Sequence, residues 1–136
     1  MLNNFKNILK SPSNIRGVFY LCLFFVSYSG FSQADLKFKD TKKSFGFVKK
    51  GELVTVKFEF TNTGNEPLLI LDTKTECSCT QIDFPKTPIL PNATSFIIVI
   101  FDTKTVYDRQ DRVVEIISNS KNKVQKIRFK GVVLNN

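Results

Sequence analysis

Cys77 and Cys79 stand one residue apart in the stretch Thr75-Glu76-Cys77-Ser78-Cys79-Thr80, and no other residues of this chain have types and spacing so suited to chemistry. In an extended strand, residues i and i+2 point the same way about 6.6 Å apart, at two rises of roughly 3.3 Å, so both sulfurs would emerge on one face. A disulfide needs β-carbons about 3.5–4.5 Å apart, so roughly 2 Å of closure must come from a bulge or a turn. Three outcomes are open to the pair. A bridge within the tripeptide would be strained, which suits exchange better than stapling, and a loop of one residue gains little from being closed. Alternatively, two adjacent thiolates are soft ligands for Cu(I) or Zn(II). Zinc wants four ligands, and the chain has no histidine and a single methionine, Met1, so Glu76, Asp72 or a second molecule would have to finish the site. Two-coordinate Cu(I) needs only Cys77 and Cys79, and no other cofactor is expected. In the third outcome the cysteines are small apolar residues that help a strand bury one face.

None of these outcomes requires turnover. A thiol oxidoreductase would usually place a cysteine at a helix N-terminus in a βαβ pattern, and no such pattern is visible. A hydrolase triad fails for want of histidine. Asp102, Asp108, Asp111 and Glu115 match no calcium-loop spacing and are interleaved with Arg109 and Arg112, which reads as a charged connection. Asn92-Ala93-Thr94 fits the glycosylation pattern only formally. The chain is therefore expected to be no enzyme, with no catalytic residues.

The elements that must position the cysteines are β-strands. Val54, Val56, Phe58 and Phe60 alternate with Thr55, Lys57, Glu59 and Thr61, giving a half-buried strand over 52–61. The run from Asn62 to Pro67 then supplies a turn, with asparagine and glycine available for positive φ. Leu68 to Leu71 resumes a strand, and the threonine-rich 73–80 that follows suggests a strand leaving its sheet or reaching an edge, with the cysteines at its far end. Three prolines break 83–92; Ser95 to Phe101 reads as a strand buried on both faces, and 102–111 as a connection. Strands over 112–118 and 124–134 end the chain, while Leu36-Lys37-Phe38 and Phe45 to Val48 make a bent first strand. About seven strands in a hundred residues predict an immunoglobulin-like β-sandwich.

The run from Phe58 to Leu68, Cys77-Ser78-Cys79-Thr80, Pro88-Ile89-Leu90-Pro91, Phe101-Asp102-Thr103 and Ile117-Ser118-Asn119 resembles a secreted bacterial family of unknown function. The resemblance is collinear from Phe45 to Val133. It implies an immunoglobulin-like domain similar in fold to the major sperm protein and to Hydin-type ciliary and centrosomal domains, and it brings no established activity. Two departures stand out. Ser78 occupies a position where the family usually has glycine, which would make a tight turn between the cysteines harder to form. Asn92 replaces a glycine after Pro91 at less consequence, because asparagine tolerates positive φ.

Ahead of the domain, Lys6, Lys10 and Arg16 precede the apolar run Val18 to Val26, too short to span a bilayer, and Gly30 and Ser32 mark a cleavage site between Ser32 and Gln33. Cys22 should leave with this signal peptide. The expected organisation is a signal peptide over 1–32 and one domain over 33–136, exported to the periplasm or beyond, with no transmembrane segment in the mature chain. The leader holds three of the 20 basic residues and none of the 12 acidic ones, so the mature chain carries +5. Its lysines are scattered, as on a solvated surface, and argue against a nucleic-acid partner. The expected function is a non-catalytic binding or scaffold module for a protein or cell-surface component. The competing reading is a thiol redox or Cu(I)-handling protein acting through Cys77 and Cys79.

Overall fold

Alternation in the sequence becomes alternation in space along β3 (Leu53–Asn62), where Val54, Val56, Phe58 and Phe60 are buried and the residues between them face out. The computed structural model describes residues 32–135; the expected signal peptide, including Cys22, lies outside them except for Ser32. β3 pairs antiparallel with β6 (Thr94–Asp102), setting Phe58 against Ile97 and Val56 against Val99. β1 (Leu36–Phe38) and β5 (Thr80–Asp83) flank this pair, giving the sheet order β1-β3-β6-β5. A second sheet runs β2 (Lys42–Lys49), β8 (Val124–Leu134), β7 (Asp108–Ser118), β4 (Ile70–Thr75), antiparallel except for the parallel pair β2 and β8. The core lies between the sheets, where Phe58, Phe60, Phe101, Phe129, Leu68, Ile97, Ile116 and Ile127 are fully buried.

The expected sandwich is therefore present, with eight strands among the described residues. The extra strand arises because the bent first strand divides at Lys39–Thr41, its halves joining opposite sheets. Two further expectations are corrected. β6 is not buried on both faces: Ile97, Val99 and Phe101 are fully buried, but Ile98 and Ile100 are half-buried and Phe96 is 46% exposed. The second sheet covers one side of β6, and the other side stays partly exposed. Residues 108–111 belong to β7, so the connection shrinks to Thr103–Tyr107. Their period-two pattern is real but polar, since Arg109 and Asp111 face out while the inward residue is Gln110, whose amide donates to Tyr107 O at 2.7 Å.

The turn after β3 uses its asparagine and glycine differently from the expectation. Neither Asn62 nor Gly64 has positive φ. Asn62 is fully buried and acts as a hub: its Oδ1 accepts from the N–H groups of Asp35 and Gly64, and its Nδ2 donates to the carbonyls of Glu66 and Ile89. Gly64 is required by space, because a Cβ there would strike the backbone of Gln33, Ala34 and Asp35. Asn92 does take the left-handed conformation, at φ 64°, as expected of asparagine in a position that favours glycine. A bulge between Ser44 and Gly46 turns Phe45 inward over Gly131, where it meets Phe101 and Phe129 at ring-centroid distances of 5.8 and 6.3 Å.

Candidate functional site

β4 ends one sheet and β5 ends the other, so the chain must cross between sheets in the four residues from Glu76 to Cys79. The cysteines sit in this crossover and not in a strand. Thr80 N–H donates to Cys77 O at 3.2 Å, closing a turn whose central residues are Ser78 and Cys79. Neither residue takes positive φ, so the turn makes no demand that only glycine could meet, and serine in its place does not hinder it. The turn supplies the closure that an extended strand lacks. It brings the two Cα atoms to 5.2 Å and the sulfurs of Cys77 and Cys79 to bonding distance.

Polar contacts fix the crossover from several sides. Thr75 Oγ1 donates to Cys77 O at 3.1 Å, and Cys79 O accepts from Asp102 N–H at 2.8 Å, which ties the turn to the end of β6. The backbone N–H of Cys79 points at Cys77 Sγ at 3.1 Å. Thr80 Oγ1 lies 3.9 Å from Cys79 Sγ. Both cysteines are half-buried, but their surroundings differ: Cys79 packs against the hydrophobic core, whereas Cys77 does not.

Beside the pair lies an open cleft of about 460 Å³, walled by Leu53, Ile100, Gln81 and Lys104. Register explains why these distant residues meet. Gln81 stands opposite Ile100, and Leu53 stands opposite Asp102, so three neighbouring strands deliver their ends to one place. Lys104 Nζ lies 3.9 Å from Asp102 Oδ2 at the rim. No local sequence signal marks Leu53, Ile100 or Lys104 as neighbours of the cysteines.

The candidate metal chemistry can be set against this geometry. Among the described residues, no group of three or more histidine, cysteine, aspartate or glutamate side chains comes together. Asp72 and Glu76 thus do not join the cysteines in a zinc set, while a two-coordinate Cu(I) would use the two thiolates alone, in the reduced state. Three of the four carboxylates of the charged stretch are paired: Asp111 with Arg128 at 3.3 Å, Glu115 with Lys126 at 3.1 Å, and Asp102 with Lys104.

Two four-stranded sheets, packed face to face with sheet-switching strands at their edges, define an immunoglobulin-like β-sandwich of the PapD-like kind. The chain belongs to the DUF1573 family, proteins of unknown function, whose sequence pattern matches residues 36–133. A protein of unknown function from Porphyromonas gingivalis W83 shares the fold at TM-score 0.67 and 18% identity, over 79% of this chain and 50% of that one. The chain thus spans half of that protein's length. The seventh PapD-like (ASH) domain of human CEP192 superposes at TM-score 0.64 with 6% identity, covering 81% of this chain and 92% of the domain. The secreted serine protease VesC of Vibrio cholerae matches at TM-score 0.57 and 18% identity, over 74% of this chain but 23% of the protease. At these identities the likeness concerns fold alone. Comparison with curated protein sequences gives no significant match.

Proposed function

We propose that the chain is an exported, non-catalytic binding module that holds a protein partner against the outer face of the β1-β3-β6-β5 sheet. One observation carries this reading: the outward residues of β6, namely Phe96, Ile98 and Ile100, form an apolar stripe down the middle of a sheet face that should be wet. Contiguous exposed apolar surface with a polar rim is a mark of interaction sites. Register places Glu59, Lys57 and Thr55 of β3 along one side of the stripe, and Asp83 and Gln81 of β5 along the other. That rim carries both signs of charge. An anionic membrane or glycan surface would be met by a uniformly basic rim, so the mixed rim favours a protein.

The reading is further supported by the pairing of three of the four candidate acid and base carboxylates, Asp102, Asp111 and Glu115, with lysine or arginine. Export rests on the basic and apolar pattern of residues 1–32. The test is a photo-crosslinking residue at Phe96 in cells of the host, followed by affinity measurement of the captured protein with purified chain. Ile98→Glu should weaken that complex at least about tenfold, roughly 1.4 kcal/mol, with the circular dichroism spectrum unchanged. Capture of only a second copy of the chain or of lipid, or equal affinity in Ile98→Glu, would overturn the proposal.

A further inference from the structure

The crossover between β4 and β5 has a property that the binding reading does not use: it is held by hydrogen bonds that do not involve its sulfur pair. Three hydrogen bonds hold it without sulfur, from Thr75 Oγ1 and Thr80 N–H to Cys77 O, and from Asp102 N–H to Cys79 O. A bridge across one residue, on a turn already fixed by backbone contacts, adds little as a staple. Hydrogen bonds that remain when the bridge opens favour a sandwich that stays folded in both states. Lining an open cleft together, the two cysteines have the access that an exchange site needs.

We infer that Cys77 and Cys79 form a thiol–disulfide exchange site that accepts two electrons from a dithiol in another polypeptide. The partner's first thiolate enters the cleft and attacks Cys77 Sγ, the sulfur not packed against the core. The Cys77–Cys79 bond breaks and its electron pair goes to Cys79 Sγ, which leaves as a thiolate beside the Thr80 hydroxyl. A mixed disulfide now joins the partner to Cys77. The partner's second thiolate attacks its own sulfur in that bond, forming the partner's disulfide and expelling Cys77 as a thiolate. The Cys79 N–H that already points at Cys77 Sγ stabilises this second leaving group. The partner is oxidised by two electrons, the chain is reduced to the dithiol, and the two protons of the partner's thiols pass to the chain's thiolates or to solvent. The oxidant is the bridge itself, so one equivalent reacts without any further reagent.

The experiment mixes the oxidised full chain with an equimolar, reduced, unstructured peptide containing Cys-x-x-Cys, and quenches samples in acid for intact mass. The expected result is a peptide two hydrogens lighter and a chain two hydrogens heavier, with more than half of the bridge opened and the far-UV dichroism unchanged. Fragmentation of the trapped mixed disulfide should place the peptide on Cys77. As a second measurement, oxidised glutathione should modify Cys77 in Cys79→Ser at least ten times faster than Cys79 in Cys77→Ser. A bridge that stays closed at equimolar dithiol, a chain that unfolds on reduction, or peptide attached mainly to Cys79 would each overturn the inference. The wild-type trapping experiment decides the matter even where a variant fails to fold. Ile98→Glu should leave every one of these readouts unchanged, which separates this site from the β6 surface.

Discussion

Replacing Asn62 by alanine probes the one fully buried polar side chain on which the entry to the domain and the turn after β3 both depend. The amide makes four hydrogen bonds, to Asp35 N, Gly64 N, Glu66 O and Ile89 O. Ile89 O also accepts from Leu68 N–H at 2.8 Å and keeps that partner after truncation. The other three groups lose the side-chain partner that satisfies them. Unpaired buried groups cost about 1–3 kcal/mol each, and the lower end applies because these three are only part-buried and water can reach them. The sum is roughly 3 kcal/mol, a large part of the about 5–15 kcal/mol that stabilises an ordinary domain. At about 4–8 °C per kcal/mol for a domain of this size, Asn62→Ala should lower Tm by roughly 12–24 °C. Thermal unfolding followed by circular dichroism measures the loss, and amide hydrogen exchange locates it, with Asp35 and Gly64 losing protection first. A Tm within about 3 °C of wild type, with those two amides still protected, would refute the reasoning.

Three further outcomes follow from other parts of the molecule. Gly131→Ala should destabilise by about 1–2 kcal/mol because its Cβ meets the Phe45 ring; in a Phe45→Leu background the cost should shrink, and equal costs in a double-mutant cycle would refute the contact. Reducing Cys77–Cys79 should lower Tm by no more than about 16 °C, since closing so short a loop contributes only about 1–2 kcal/mol; loss of the cooperative transition would show that the bridge staples the crossover after all. The intact mass of protein recovered from its host should correspond to a chain beginning at Gln33, and a retained leader would move the cleavage site or abolish it.

Strands whose periodicity is carried by apolar side chains were legible from sequence, and β3 is the clearest because Val54, Val56, Phe58 and Phe60 alternate without a fault. The start of β7 was not, because its inward residue is Gln110 and hydrophobic period therefore fails where structural period continues. The apolar run of β6 misled in the opposite direction: it specifies a strand with two apolar faces, and whether both are covered depends on how many layers the fold has. The parallel pairing of β2 with β8 joins residues more than eighty positions apart, and only the assembled sheet fixes its register. The cysteines were legible as a locus because two thiols in a chain without histidine are conspicuous. The crossover that brings them together was legible only as a strand about to leave its sheet. The walls of the cleft were not legible at all, since Leu53 and Ile100 become neighbours through strand order.

Strand order also relates the two surfaces to each other. Ile100 is the last outward residue of the β6 stripe and at the same time a wall of the cleft beside the cysteines, so the apolar face runs into the exchange site without a break. A polypeptide held along β6 would lie with one end at Cys77. This continuity does not make the two readings one. Ile98 belongs to the stripe but does not wall the cleft, and Cys77 borders the cleft but lies outside the sheet face. Substitution at Ile98 therefore tests adhesion while leaving the sulfur chemistry intact, and substitution at Cys77 removes the chemistry while leaving the adhesive face intact. A partner that loses affinity in Ile98→Glu, yet still exchanges with the chain at high concentration, would show that the face acts by raising the local concentration of a thiol at the bridge.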